Sequence, residues 1–394
     1  MKVLHICNDF CYSKVHSELY KELDKLGVEQ VVYAYPMDRS RAENNRFESL
    51  NTVFISADVL RSYHRFLFHK KIRDLVADVC RRVDMSTIDC VHATTLFSDG
   101  GVAYALHKKY GIPYVVAVRN TDVNEYMVLA PHTWLLGRKV IANANKLVFI
   151  SPSIYKHFCE KRFFSTIAKQ SAAKTVICPN GINEYWLNHI TSETTSSTTE
   201  ILYIGRFDKN KNVLRLIEAF LELRKELPDV HMTIVGERGE QEKSINEISR
   251  VYADAISYLG PIYDREELRK IMRRVSVFAM TSIHETFGLV YIEALSQGLP
   301  ILFTRHQGVD GFFADSIGVA VNPKDTEDIK RGLRELLVNH DKYRGYRRVD
   351  FSQFKWEDIA RKYKDIIFNL DYELPSPPSK KRNRSVGTTC QEIN

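Results

Sequence analysis

The chain reads as an α/β protein made of two doubly wound parallel-sheet domains that face each other across a cleft. Three observations predict this. Short apolar runs alternate with amphipathic stretches along both halves, as parallel strands joined by crossover helices do. A length of 394 residues suits two domains, each large enough for its own core. Between the two alternating series lies a polar run, Ile190-Thr-Ser-Glu-Thr-Thr-Ser-Ser-Thr-Thr199, which has few apolar anchors and marks a linker.

The elements follow in order. Residues 3–7 form a buried first strand, 14–26 a helix closed by Gly27, and 30–35 a second strand. Strands at 90–93, 114–118 and 146–150 follow, with a helix over 101–110. The first domain is expected to span 1–185 and the linker 186–200. The second series opens with a strand at 201–204 and an amphipathic helix over 212–227. Strands at 231–235, 256–259, 277–279 and 301–303 alternate with a helix at 265–275 and another beginning after Gly288. Helices over 326–340 and 353–370 complete it, and the second domain is placed at 201–352. The proline-rich, basic tail 372–394 is expected to be disordered.

Composition narrows the class. The apolar fraction is 44% and the charged fraction 27%, values of a soluble globular protein. No apolar run approaches the ~20 residues that cross a bilayer. Met1-Lys-Val-Leu-His-Ile-Cys7 is too short and too soon interrupted for a secretory signal. Seven cysteines at irregular spacing argue for a reducing compartment, so a cytoplasmic location is expected. Cys7 and Cys11 have no second pair at ligand spacing and read as core or loop thiols. The net charge of +7 admits anionic partners without requiring nucleic acid. Within 61–73, Phe66, Leu67 and Phe68 lie among Arg61, Arg65, Lys70, Lys71 and Arg73. Such a segment suits the surface of an anionic membrane, or else it packs on its own sheet with a solvated basic face; Ile72, Leu75, Val76 and Val79 have core spacing.

The chemistry concentrates in Ser282-Ile-His-Glu285-Thr-Phe-Gly288-Leu-Val-Tyr-Ile-Glu293. Two carboxylates flank a Phe-Gly turn that opens a helix. Free amides and the positive end of the helix dipole suit a diphosphate, and the acids suit sugar hydroxyls. Gly205-Arg206-Phe-Asp-Lys-Asn-Lys211 follows a strand directly, so Gly205 permits a sharp turn while Arg206 and Lys211 offer cations to phosphate. Gly236 ends the strand 231–235 and either admits a base or ribose or merely terminates the strand. His92, at a strand end, faces either cleft or core. No G-x-G-x-x-G, P-loop, G-x-S-x-G or H-E-x-x-H occurs, against NAD enzymes, ATPases and the corresponding hydrolases.

Together these motifs resemble the retaining family 4 glycosyltransferases, which have the GT-B fold of two Rossmann-like domains. The likeness runs from Met1 to about Leu370 and is strongest over 201–303. It includes Gly298-Leu-Pro300, the hinge element Pro179-Asn180-Gly181-Ile182-Asn183, and Phe354-Lys-Trp356-Glu357, which opens a last helix expected to cross back onto the first domain as 353–371. The resemblance implies transfer of a sugar from a UDP- or GDP-linked donor to a glycan or lipid-linked acceptor, with retained configuration. It implies no cofactor and no obligatory metal, and fits polysaccharide or glycoconjugate synthesis on the inner face of a membrane. Arg206 and Lys211 would hold the diphosphate, Glu293 the ribose and Glu285 the transferred sugar. The amides around Phe287, Gly288, Leu289 and Val290 would meet phosphate or sugar, with Gly205, Gly236 and Asn180 beside them. Asp122 matches a family aspartate, but Arg119 stands where the family carries a histidine that faces the donor sugar. Arginine does not act as a base near neutral pH, though it suits a phosphate or acidic sugar. That substitution motivates the alternative of an inactive, nucleotide-sugar-binding partner subunit. The family's glycine pair after the first strand is replaced by 8–13, where Ser13 and the following Lys14 are candidate contacts.

Overall fold

A computed structural model describes residues 1–191, 199–313 and 316–368. The first sheet contains β1 (Lys2–Cys7), β2 (Glu29–Ala34), β3 (Thr52–Ser56), β4 (Cys90–Ala93), β5 (Tyr114–Val118), β6 (Lys146–Phe149) and β7 (Thr175–Ile177). The second contains β8 (Glu200–Ile204), β9 (His231–Val235), β10 (Ile256–Tyr258), β11 (Val277–Ala279), β12 (Ile301–Thr304) and β13 (Gly318–Val321). The strand orders are β3-β2-β1-β4-β5-β6-β7 and β10-β9-β8-β11-β12-β13, and the paired strands are parallel. Central strands are covered on both faces, which is why their sequences are predominantly apolar; all of Tyr114–Val118 is buried. In each sheet the winding reverses beside the first strand, at β1/β4 and at β8/β11, and a crevice opens there at the carboxyl ends of the strands.

One face of the first sheet packs against the helices Phe68–Arg82, Ser98–Tyr110 and Trp134–Asn143. The other face is covered by Lys14–Lys25 together with the last helix, Trp356–Phe368. Ile359, Ala360, Tyr363, Ile366 and Ile367 of that last helix share a core with Val3, Leu19, Tyr20, Leu23 and Val148. Its start is fixed by Gly181: a Cβ there would lie 2.6 Å from the Trp356 ring. Ile182 N–H donates to the Phe354 carbonyl at 3.0 Å, and Lys362 Nζ donates to the Ile177 carbonyl at 2.8 Å.

The segment read as a linker begins as structure. Glu184–Asn188 is a short helix capped by Asn183, Trp186 is buried in it, and Thr191 N–H donates to the Ser296 carbonyl. Burial of Trp186 against the second domain supplies the anchor that the polar run following it lacks. The rest of the linker, 192–198, and the tail read as disordered lie outside the described residues. Among the described residues no helix is long and apolar enough to cross a membrane.

Candidate functional site

The two crevices join in a cleft of about 440 Å³. From the second domain it is lined by Lys211, Met280, Glu285, Thr286 and the run Phe287, Gly288, Leu289, Val290; from the first by Asp9, Ser13, His16, Arg119, Asn120 and Asn180, among others.

Glu285 sits at its centre because the turn around it is tightly built. Gly288 has φ +81° and opens the helix Leu289–Ser296, and a Cβ on it would lie 2.3 Å from the Tyr291 ring. Gly308 closes the other side, its N–H donating to the Glu285 carbonyl at 3.0 Å. The buried Glu285 carboxylate accepts hydrogen bonds from Lys211 Nζ at 2.9 Å, Ser282 Oγ at 3.1 Å and the Thr286 N–H at 3.1 Å. No side chain caps the helix that follows, so its first amides and positive dipole end face the cleft. Lys211 arrives from the 3₁₀ turn Lys209–Lys211, which Asp208 caps by accepting from the Lys211 N–H.

Opposite, Arg119 N–H donates to Asp122, and its Nε donates to the Thr94 carbonyl at 3.2 Å. Asp9 and His16 flank it. Burial raises the Asp9 carboxyl pKa, while Arg119 and Lys71 pull it back down. Burial, with Arg119 and His5 adding to it, lowers the His16 pKa to about 3, so this imidazole is neutral near pH 7. Asp9, His16, Asn120, Thr121 and Thr286 were not singled out by sequence reasoning. They sit in strand-to-helix connections or the first turn of the helix that follows, where spacing carries no distinctive signal.

Several predicted residues lie elsewhere. The Arg206 side chain is 71% exposed and forms a two-nitrogen ion pair with Asp208. Of the expected cation pair, Lys211 stands in the cleft lining itself. Gly205 and Gly236 pack against each other: a Cβ on Gly236 would lie 1.9 Å from the Gly205 carbonyl oxygen, so this close backbone approach requires glycine. Asp122 is not at the cleft surface. It is buried and accepts the N–H groups of Leu96, Phe97 and Arg119, which seats the helix Ser98–Tyr110 and the turn carrying Arg119. Glu293 is half-buried behind the cleft lining, where Trp186 donates to it; burial raises its pKa to about 7 against the pull of Arg265. His92 faces the core, its Nδ1 2.9 Å from His5 Nδ1.

Comparisons with known proteins agree with this geometry. Residues 12–181 match the glycosyl transferase 4-like domain and residues 188–349 match glycosyl transferases group 1. The chain belongs to the group 1 glycosyltransferases, with a 4-like first domain and the GT-B fold. It is 24% identical over 274 residues to a glycogen synthase of Mycobacterium tuberculosis, covering 66% of this chain and 63% of that protein. It is 27% identical to the alpha-monoglucosyldiacylglycerol synthase of Acholeplasma laidlawii, covering 64% and 67% respectively. Among solved structures, a lipopolysaccharide outer core galactosyltransferase superposes with a TM-score of 0.64 at 16% identity, over 92% of this chain and all of that one. The Anabaena protein HepE in complex with UDP gives 0.61 at 14% identity, over 94% and 97%.

Proposed function

We propose that the protein is a family 4 glycosyltransferase that moves a sugar from a nucleoside diphosphate donor, UDP- or GDP-linked, to a glycan or lipid-linked acceptor with retention of configuration. Its setting would be polysaccharide or glycoconjugate synthesis in the cytoplasm. The observation that carries this is the convergence of Lys211, the uncapped Gly288 helix start and Glu285 in one cleft. Heterolysis of the anomeric C–O bond leaves its electron pair on the diphosphate and positive charge on the sugar. Lys211 and the helix amides stabilise the first, Glu285 orients the second through its hydroxyls, and the positive charge needed at the leaving group requires no metal. An acceptor hydroxyl attacking from the same face lies beside the departing phosphate oxygen, which takes its proton. Arg119, Asp9 and His16 supply polar contacts from the facing domain. Glu293 would reach the ribose from behind the Gly288 turn. The glycogen synthase and glucosyldiacylglycerol synthase relatives and the UDP-bound neighbour support the reading.

Thermal unfolding with UDP, GDP and ADP tests it. A nucleotide at about 100 times its dissociation constant stabilises by roughly 2.7 kcal/mol, a shift of several degrees. An unmoved curve with all three sinks the donor assignment. Arg119 in the histidine's place favours one second reading, the inactive partner subunit. Nucleotide binding with neither donor hydrolysis nor transfer over a broad acceptor panel selects it.

A further inference from the structure

The basic segment 61–73 is not the evenly charged surface that its sequence suggests. Arg61 pairs with Asp58, and Lys70 and His64 both engage Asp74, so much of its charge is internally matched. Arg65 makes no ion pair among the described residues, and Lys71 turns inward to donate to Ser98 Oγ at 2.8 Å. These two cations stand at a second pocket, of about 360 Å³, in the first domain. Its walls are mostly apolar, with Met37, Leu60, Phe68, Tyr126, Leu129 and Ala130 contributing, and Glu125 is the one acid on its lining. Leu129 is 76% exposed at the rim, and Phe66, next to Arg65, is 84% exposed. An exposed apolar cluster of this kind, around a concave site, marks a binding surface. On its inner side Lys71 is attracted first by Asp99 and then by Asp9, and Asp9 also lines the cleft.

An apolar chamber with two cations beside it matches an amphiphilic anion. We propose that this pocket receives the hydrocarbon chain of an anionic lipid acceptor, with Lys71 and Arg65 holding its phosphate. The acceptor hydroxyl would then be presented toward Asp9 and the donor cleft. The inference rests on the transferase reading and names its acceptor class. The exposed Phe66, Leu67 and Leu129 sit where the chain would enter from a bilayer.

Calorimetry on the full chain tests it with dodecyl phosphate and neutral dodecyl maltoside, both below their micellar concentrations. Dodecyl phosphate should bind at least tenfold tighter than the maltoside. Lys71→Gln should weaken it on the order of tenfold, since it removes a charge-assisted hydrogen bond. Ala130→Trp should abolish it by filling the chamber, and Leu129→Asp, at an exposed position, should weaken it several-fold without a folding risk. UDP and GDP titrations of each variant report whether the donor cleft is intact. Equal binding of the two amphiphiles, or dodecyl phosphate binding unchanged in both Ala130→Trp and Leu129→Asp, overturns the proposal. Absence of nucleotide binding in the parent protein overturns the donor reading instead, and is seen separately.

Discussion

Lys211 pairs with Glu285 and, in the function proposed above, is also the cation offered to a diphosphate, so the two partners would compete for it. The Lys211–Glu285 contact is 2.9 Å, with side chains 24% and 10% exposed. At an effective dielectric near 20 the attraction is on the order of 4–6 kcal/mol before desolvation. Desolvation reduces the net coupling to about 1–3 kcal/mol. Glu285→Gln releases Lys211, so binding of the nucleoside diphosphate alone should tighten about fivefold, the equivalent of roughly 1 kcal/mol. Sugar transfer should fall by two orders of magnitude or more, because the negative charge that orients the sugar hydroxyls and faces the developing positive charge is lost. Lys211→Met should weaken diphosphate binding by about 10- to 100-fold, through loss of one charge-assisted hydrogen bond. It should also lower Tm by a few degrees, since Glu285 then keeps only Ser282 and Thr286. Titration calorimetry with UDP and GDP on both variants decides the matter. Affinities that fall together, by similar factors, would show the pair to be a structural strut and refute a diphosphate role for Lys211.

Further outcomes are expected. Gly236→Ala puts a methyl 1.9 Å from the Gly205 carbonyl and should cost more than about 2 kcal/mol in urea unfolding. Gly288→Ala strains a φ of +81° against Tyr291 and should disorder the helix start, lowering nucleotide affinity at least tenfold with only a modest fall in Tm; retained affinity contradicts a role for those amides. Glu293 has a folded-state pKa raised to about 7 from an ordinary value near 4.5. Between those values the folded protein keeps a proton that the unfolded chain has released, so the contribution of Glu293 to stability declines as pH rises from about 4.5 to 7. Glu293→Gln removes that decline. The variant-minus-parent difference in unfolding free energy should grow with pH by up to about 1.4 kcal/mol per unit, and a constant difference refutes it.

The sheets were legible because central parallel strands are largely apolar, as in Lys2–Cys7, and in places continuously so, as in Tyr114–Val118. The edge and near-edge strands Thr52–Ser56, Thr175–Ile177 and Gly318–Val321 escaped notice, being short and only partly buried. Within the site, the Glu285–Gly288 turn and Lys211 were readable, since a glycine-opened helix with a flanking acid is a local pattern. The role of Asp122 was not. Whether an aspartate faces a ligand or three backbone amides depends on where residues 96 and 97 arrive, 25 positions upstream in the contact to Phe97. The pairing of Arg206 was likewise not legible, as the carboxylate two residues on holds its guanidinium.

The last helix carries a consequence for engineering. Trp356–Phe368 follows the donor-side sheet in the chain but supplies Tyr363, Ile366 and Ile367 to the interior of the other half. A chimaera that grafts a foreign donor module at residue 185 would import a foreign helix against Tyr20 and Leu23. A working exchange must take its second junction before Trp356 and keep the native terminus, so that the transplanted module is an insertion with two seams.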